Sequence, residues 1–140
     1  MNDQATGKVK FASVAWIDIA RSGLEELVAR HGTAGARFSL CEVFTDAPAT
    51  IAPNGRAAWH FYADGKTVVV SAGEVDDADV KICTDYQGVL PKAREFYTPE
   101  ILAERANEPP GAGFDSVEGD MSLVPEYLVE LHNMLCVITA

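Results

Sequence analysis

Positive charge is scarce in this sequence. Eleven Lys and Arg stand against 21 Asp and Glu, giving a net charge of −10. The shortage is uneven: residues 1–73 balance seven acidic against seven basic side chains, whereas residues 74–140 hold fourteen acidic and four basic ones. No basic stripe is present to track phosphates, which argues against a nucleic-acid partner. An anionic membrane surface would repel the second half. The acidity reads first as a solvated surface, and second as a surface for a basic partner or a filter against strongly anionic ligands.

Other absences narrow the chemistry. No apolar run approaches the ~20 residues of a membrane span, so stable membrane insertion is not expected. The first residues are polar, with no apolar stretch behind a basic start, so a signal peptide is not visible and a cytoplasmic location is the expectation. The three cysteines, Cys41, Cys83 and Cys136, are far apart and lack CxxC spacing, which fits buried thiols. His31, His60 and His132 form no HxH or HExxH pattern, so no metal is expected. GxxxxGK[ST] and GxGxxG loops and a GxSxG elbow are absent, and no cofactor is expected.

What is present reads as one globular domain. The length is 140 residues, with 48% hydrophobic residues. Residues 1–8 read as a flexible tail and residues 9–140 as the domain. Residues 11–31 read as helix, capped by Ser13 and ended by Gly32 in a left-handed conformation. Its stripe is Ile17, Ala20, Leu24, Leu27 and Val28, with His31 next. Ser22-Gly23-Leu24-Glu25 is a capping-box pattern, so one helix weakened at Gly23 and two short helices both stay open. Strands follow at residues 38–45, 57–63 and 66–72, the last two joined by a tight primed turn at Asp64-Gly65. An acidic loop, 73–79, leads to a strand at 80–84. A helix capped by Asp85 runs to residue 95, and Pro91 must kink or divide it. Thr98-Pro99-Glu100 opens another helix that ends near Ala106. Residues 107–113 read as an exposed loop and 114–118 as a short strand. The last helix, capped by Ser122 with Pro125 in its first turn, carries a wide apolar stripe from Val124 to Ile138 and continues to the chain end. Hairpin-linked strands imply an α+β fold, a mostly antiparallel five-stranded sheet with helices on one face.

These motifs resemble the sterol carrier protein family of sterol-binding domains. Phe11-Ala12-Ser13-Val14-Ala15-Trp16-Ile17 looks like the family's entry into its first helix. The hairpin at residues 59–70 is similar to its central strands, and Asp79-Val80-Lys81-Ile82 to the strand that follows them. Val117-Glu118-Gly119-Asp120-Met121-Ser122-Leu123 looks like its Gly-Asp/Asn-Met signature before the last helix. Two features depart from the pattern. Residues 91–113 are longer and richer in proline, and the chain ends Val137-Ile138-Thr139-Ala140 without a Ser-Lys-Leu-type peroxisomal signal. A bacterial, cytoplasmic, stand-alone form is the expectation.

The resemblance implies an apolar tunnel between sheet and helices, binding of a sterol, fatty acid or acyl-CoA ester, and no catalytic residues common to the family. On that reading the strands supply Phe38, Leu40, Trp59, Phe61, Val68, Val70 and Ile82 to the ligand. The later segments supply Met121, Leu128, Leu131, Met134 and Leu135. Each would serve equally well as ordinary core, and both uses stay open. An alternative is a small enzyme or accessory subunit acting on a hydrophobic ketone or thioester. His60 would then transfer the proton, with Glu42 orienting it and either Cys41 or Glu42 sharing its face according to register. A third reading is an interaction subunit whose last helix pairs with a second copy or a larger enzyme.

Overall fold

A computed structural model describes residues 8–109 and 112–140; the tail expected at residues 1–8 therefore lies outside the described residues except for Lys8. The chain runs α1 (Val14–His31), β1 (Arg37–Thr45), β2 (Arg56–Asp64), β3 (Thr67–Ala72), β4 (Val80–Asp85), α2 (Tyr86–Ala93), α3 (Pro99–Arg105), β5 (Ser116–Gly119) and α4 (Tyr127–Cys136). The strands form one sheet in the order β3-β2-β1-β4-β5. All pairs are antiparallel except β1 with β4.

α1 is a single helix through Gly23, and the Ser13 side chain caps it by accepting the Trp16 N–H. Gly23 is a packing residue, not a helix start. A Cβ there would stand 3.1 Å from Leu131 Cδ1 and 3.3 Å from Met134 Cε, so glycine lets α4 cross α1 closely. That close approach offsets the ~1 kcal/mol cost of glycine inside a helix. Gly32 is not left-handed as expected: its φ is −67° and ψ 150°. A Cβ there would lie 2.0 Å from the Gly65 carbonyl oxygen, so the α1 end needs glycine to pass the β2–β3 turn. That turn comprises Gly65-Lys66, one residue later than expected, since Asp64 pairs with Thr67. Gly65, first in the turn, takes the positive φ of 62° that a primed turn requires.

Two further expectations change. Ser122 does not cap the last helix. Met121–Leu123 is a 3-10 turn whose cap is Asp120, which accepts both the Ser122 N–H and hydroxyl. α4 starts later, at Tyr127, without a side-chain cap, and stops at Cys136. The residues beyond it leave the helix to bridge Val9: Ala140 N–H donates to the Val9 carbonyl, and Val9 N–H to that of Ile138. α2 keeps Pro91 inside and ends at Ala93, before the expected residue 95.

Strand alternation gives the sheet two unlike faces. Leu40, Glu42 and Phe44 of β1 share the inner face with Trp59 and Phe61 of β2, Val70 of β3 and Ile82 of β4. All four helices and the main core lie on that side. On the outer face, Cys41 and Val43 are nonetheless fully buried. Above them an ion-paired cluster ties the acidic loop down. Glu74 pairs with Arg56 at 2.9 Å and Lys81 at 2.7 Å, and Asp76 with Lys81 at 2.8 Å. Three hydrogen bonds to the two charged partners hold the Glu74 carboxyl down at a pKa of about 2.

Candidate functional site: an apolar cavity with one buried acid

The middle of α1 packs closely on the sheet at β3. Leu24, Leu27, Val28 and Phe61 are almost wholly buried there. α4 leans on α1 and α2 instead of on the sheet. Between it and β1, β2 and β4 lies a cavity of about 520 Å3. Small-molecule sites run to roughly 300–1,000 Å3.

One end is walled by aromatics. Phe11 meets the rings of Trp16, Phe44 and Tyr86 at centroid distances of 5.1, 4.6 and 5.3 Å. The Tyr86 hydroxyl donates to the Phe11 carbonyl at 2.7 Å, which pins the approach to α1. Trp16 is fixed from behind: its indole N–H donates to the Thr139 hydroxyl, which in turn donates to the Leu135 carbonyl. Trp59 stands edge-on to Trp16 at 5.6 Å.

Of the residues expected to meet a ligand, Leu40, Trp59, Ile82 and Met121 line the cavity, as do Leu128, Leu131 and Leu135. Phe38, Phe61, Val68, Val70 and Met134 do not. The first four belong to the packed half under α1, and Met134 lies against Gly23 with 39% of its surface exposed. The stripe of α4 is thus turned inward at Leu128, Leu131 and Leu135, and the interaction-subunit reading loses most of the face it rested on.

The His60–Glu42 pair is corrected by register. Glu42 is opposite Trp59, and His60 is opposite Cys41, so the acid and the imidazole point to opposite faces. His60 donates from Nδ1 to the Gly73 carbonyl at 2.8 Å and meets Tyr62 edge-on. His60 is not among the residues that line the cavity between α4 and the sheet.

Glu42 instead lies on the cavity floor. Its Oε1 accepts the Trp59 indole N–H at 2.8 Å. Protein encloses it, and the surface it keeps belongs to the cavity. Desolvation by the surrounding apolar side chains pushes its pKa up to about 7, against the smaller opposing effect of the Trp59 hydrogen bond.

The wall opposite the sheet carries polar groups that no motif announced. His132 stacks on Tyr97 at 3.7 Å with the rings 9° from parallel. Its Nε2 lies 2.6 Å from the Glu95 carbonyl, so that nitrogen carries the proton. Burial lowers the His132 pKa and raises that of the Tyr97 phenol. Arg105 lies over the other side of Tyr97 and pairs with Glu95. Asn133 receives the Tyr97 N–H and donates to its carbonyl, fastening the 95–98 segment to α4. Adjacent His and Asn at the edge of an apolar helix stripe were the available signal.

The class defined by fold and site is an α+β domain with a mixed sheet, helices over one face and an apolar cavity between them. The structure is similar to a crystal structure of sterol carrier protein 2, with a TM-score of 0.57 and 12% identity over 93% of this chain and 100% of that one. It is also similar to a UbiJ-SCP2 ubiquinone synthesis protein, with a TM-score of 0.47 and 15% identity over 91% and 96%. No family model matches the chain, nor does any curated protein. The fold is therefore that of sterol carrier protein 2, as the sequence motifs suggested. A cavity is present; a tunnel through the domain is not shown. No described helix is long and apolar enough to cross a membrane.

Proposed function

We propose that this protein binds and carries an apolar small molecule without transforming it. The cavity of about 520 Å3 between α4 and the sheet carries the reading. Leu40, Trp59, Ile82, Leu128, Leu131 and Leu135 form the contact surface, with Met121 as an adaptable wall. A sterol, fatty acid or acyl-CoA ester is the ligand class implied by the resemblance. A sterol-sized molecule buries a few hundred Å2, worth on the order of 10 kcal/mol at about 25 cal/mol per Å2. Lost freedom takes back a large share, leaving micromolar binding. The three free thiols, Cys41, Cys83 and Cys136, suit a reducing compartment, which supports a cytoplasmic location for the proposed carrier.

Native mass spectrometry of the protein as purified from cells, followed by titration with a sterol, a fatty acid and an acyl-CoA ester, tests the reading. A retained or acquired lipid is expected. No bound species and no uptake at tens of micromolar overturns it.

A further inference from the structure

We propose that Glu42 is the polar anchor of the cavity, holding the uncharged oxygen end of an otherwise apolar ligand that enters head first. The inference rests on the binding function proposed above and names the ligand chemistry. Among the cavity residues contributed by the sheet, Leu40, Phe44, Trp59 and Ile82 are apolar or already bonded, and Glu42 alone is ionisable. The Trp59 indole fixes one oxygen. The other takes no hydrogen bond from any described residue.

A buried acid in this position selects by charge. A ligand carboxylate would bring a second acid against the first, in surroundings that solvate neither. An ammonium would require a full ion pair on an apolar floor, where desolvation consumes most of the attraction. A ketone, ester or hydroxyl needs only a donor, and the protonated carboxyl is one. Burial keeps Glu42 protonated up to about pH 7. A ligand that displaces cavity water raises that limit further.

The other charged and titratable groups around the cavity come from the helical side: Lys92 of α2, Tyr97, Arg105 of α3, Glu108 and His132 of α4. Arg105 is paired with Glu95, and Lys92 lies 6.0 Å from the Phe114 ring centroid. His132 is held below its ordinary value, chiefly by burial.

The test uses the full chain with three probes of equal length: decyl methyl ketone, dodecanoate and dodecylamine. Binding is followed calorimetrically one pH unit below and one above neutrality. The ketone is expected to bind tightest. Its affinity should fall about tenfold as the pH rises, the worth of one hydrogen bond to a buried group. Glu42→Gln keeps a donor, so it should hold the ketone at both pH values without the decline. Glu42→Leu should lose about tenfold at the lower pH; Glu42→Gln, nearly isosteric, guards against a folding defect in the leucine variant. Preference for dodecanoate or dodecylamine overturns the proposal. So does equal ketone affinity in all three proteins, or a pH response that survives in Glu42→Gln and so belongs to His132. If the wild-type protein binds none of the probes, the binding function falls as well. If it binds them indifferently to Glu42, only the anchor falls.

Discussion

The inner layer has two halves built from the same residue types and packed to different ends. Under α1, the side chains of Leu24, Leu27, Phe61 and Val70 close the space between helix and sheet. Under α4, Leu128, Leu131 and Leu135 face Leu40, Trp59 and Ile82 across a cavity. The difference comes from how each helix is supported. α1 rests on β3, and α4 rests on other helices, with the aromatic cluster around Phe11 propping one end. Hydrophobicity drives both halves together, and geometry leaves one of them hollow.

The largest expected contrast is between truncations in the two halves. Phe61→Ala, in the closed half, should cost about 3–5 kcal/mol in urea unfolding. Equal losses for Phe61→Ala and for a cavity-wall truncation would dissolve the distinction.

Next is the pH dependence of stability in the hollow half. The Glu42 pKa is raised on folding, so its favourable contribution is fully present below the unfolded value of 4.5 and is lost as pH rises through about 7. A shift of that size corresponds to about 3 kcal/mol. In Glu42→Gln, unfolding monitored between these values should lack that decline, leaving the variant the more stable protein above neutrality. Parallel profiles would show that the carboxyl is solvated in the folded state.

Leu128→Ala should cost about 1–2 kcal/mol, below the usual range for a leucine truncation, because the side chain already borders open space. It should weaken ligand binding more visibly than it weakens the fold. A loss equal to that of Phe61→Ala would mean that the cavity collapses on truncation.

The smallest effect lies on the other face of the sheet. Glu74 has the opposite shift from Glu42, down to about 2, because two cations bind it where water still reaches. Its contribution is present above the ordinary value of 4.5 and is lost as pH falls toward 2. Solvent screening limits Glu74→Gln to about 0.5–1 kcal/mol at neutral pH. The same residue type thus has its stability effect reversed in sign by its environment, and acid titration of the two variants should diverge in opposite directions.

Much of the fold was legible in the chain. Ser13, Asp85 and Thr98 cap the helices expected of them, since capping needs only a side-chain oxygen beside the first N–H groups. Alternation put Trp59 and Phe61 on one face and His60 and Tyr62 on the other. The roles of Gly23 and Gly32 were hidden, because each answers to an element distant in sequence: α4 for one, the β2–β3 turn for the other. Ser122 was misread for a local reason: Asp120, two residues before it, takes both its donors in a 3-10 turn that precedes α4.

The site was legible in composition and illegible in arrangement. The residues around Leu40, Trp59, Leu128 and Leu131 announced an apolar interior, since period and spacing alone decide which side chains leave water. Glu42 stood out as an acid in a hydrophobic strand, but its partner depended on whether Cys41 or Glu42 faced His60. That choice is a register, fixed by pairing with β2 and β4 together. The sequence by itself determined one α+β domain with a greasy inner face. Tertiary structure decided that part of that face is left unfilled and that an acid lies at its floor. Burial of apolar surface is summed along the chain, whereas a void exists only between elements that meet in space.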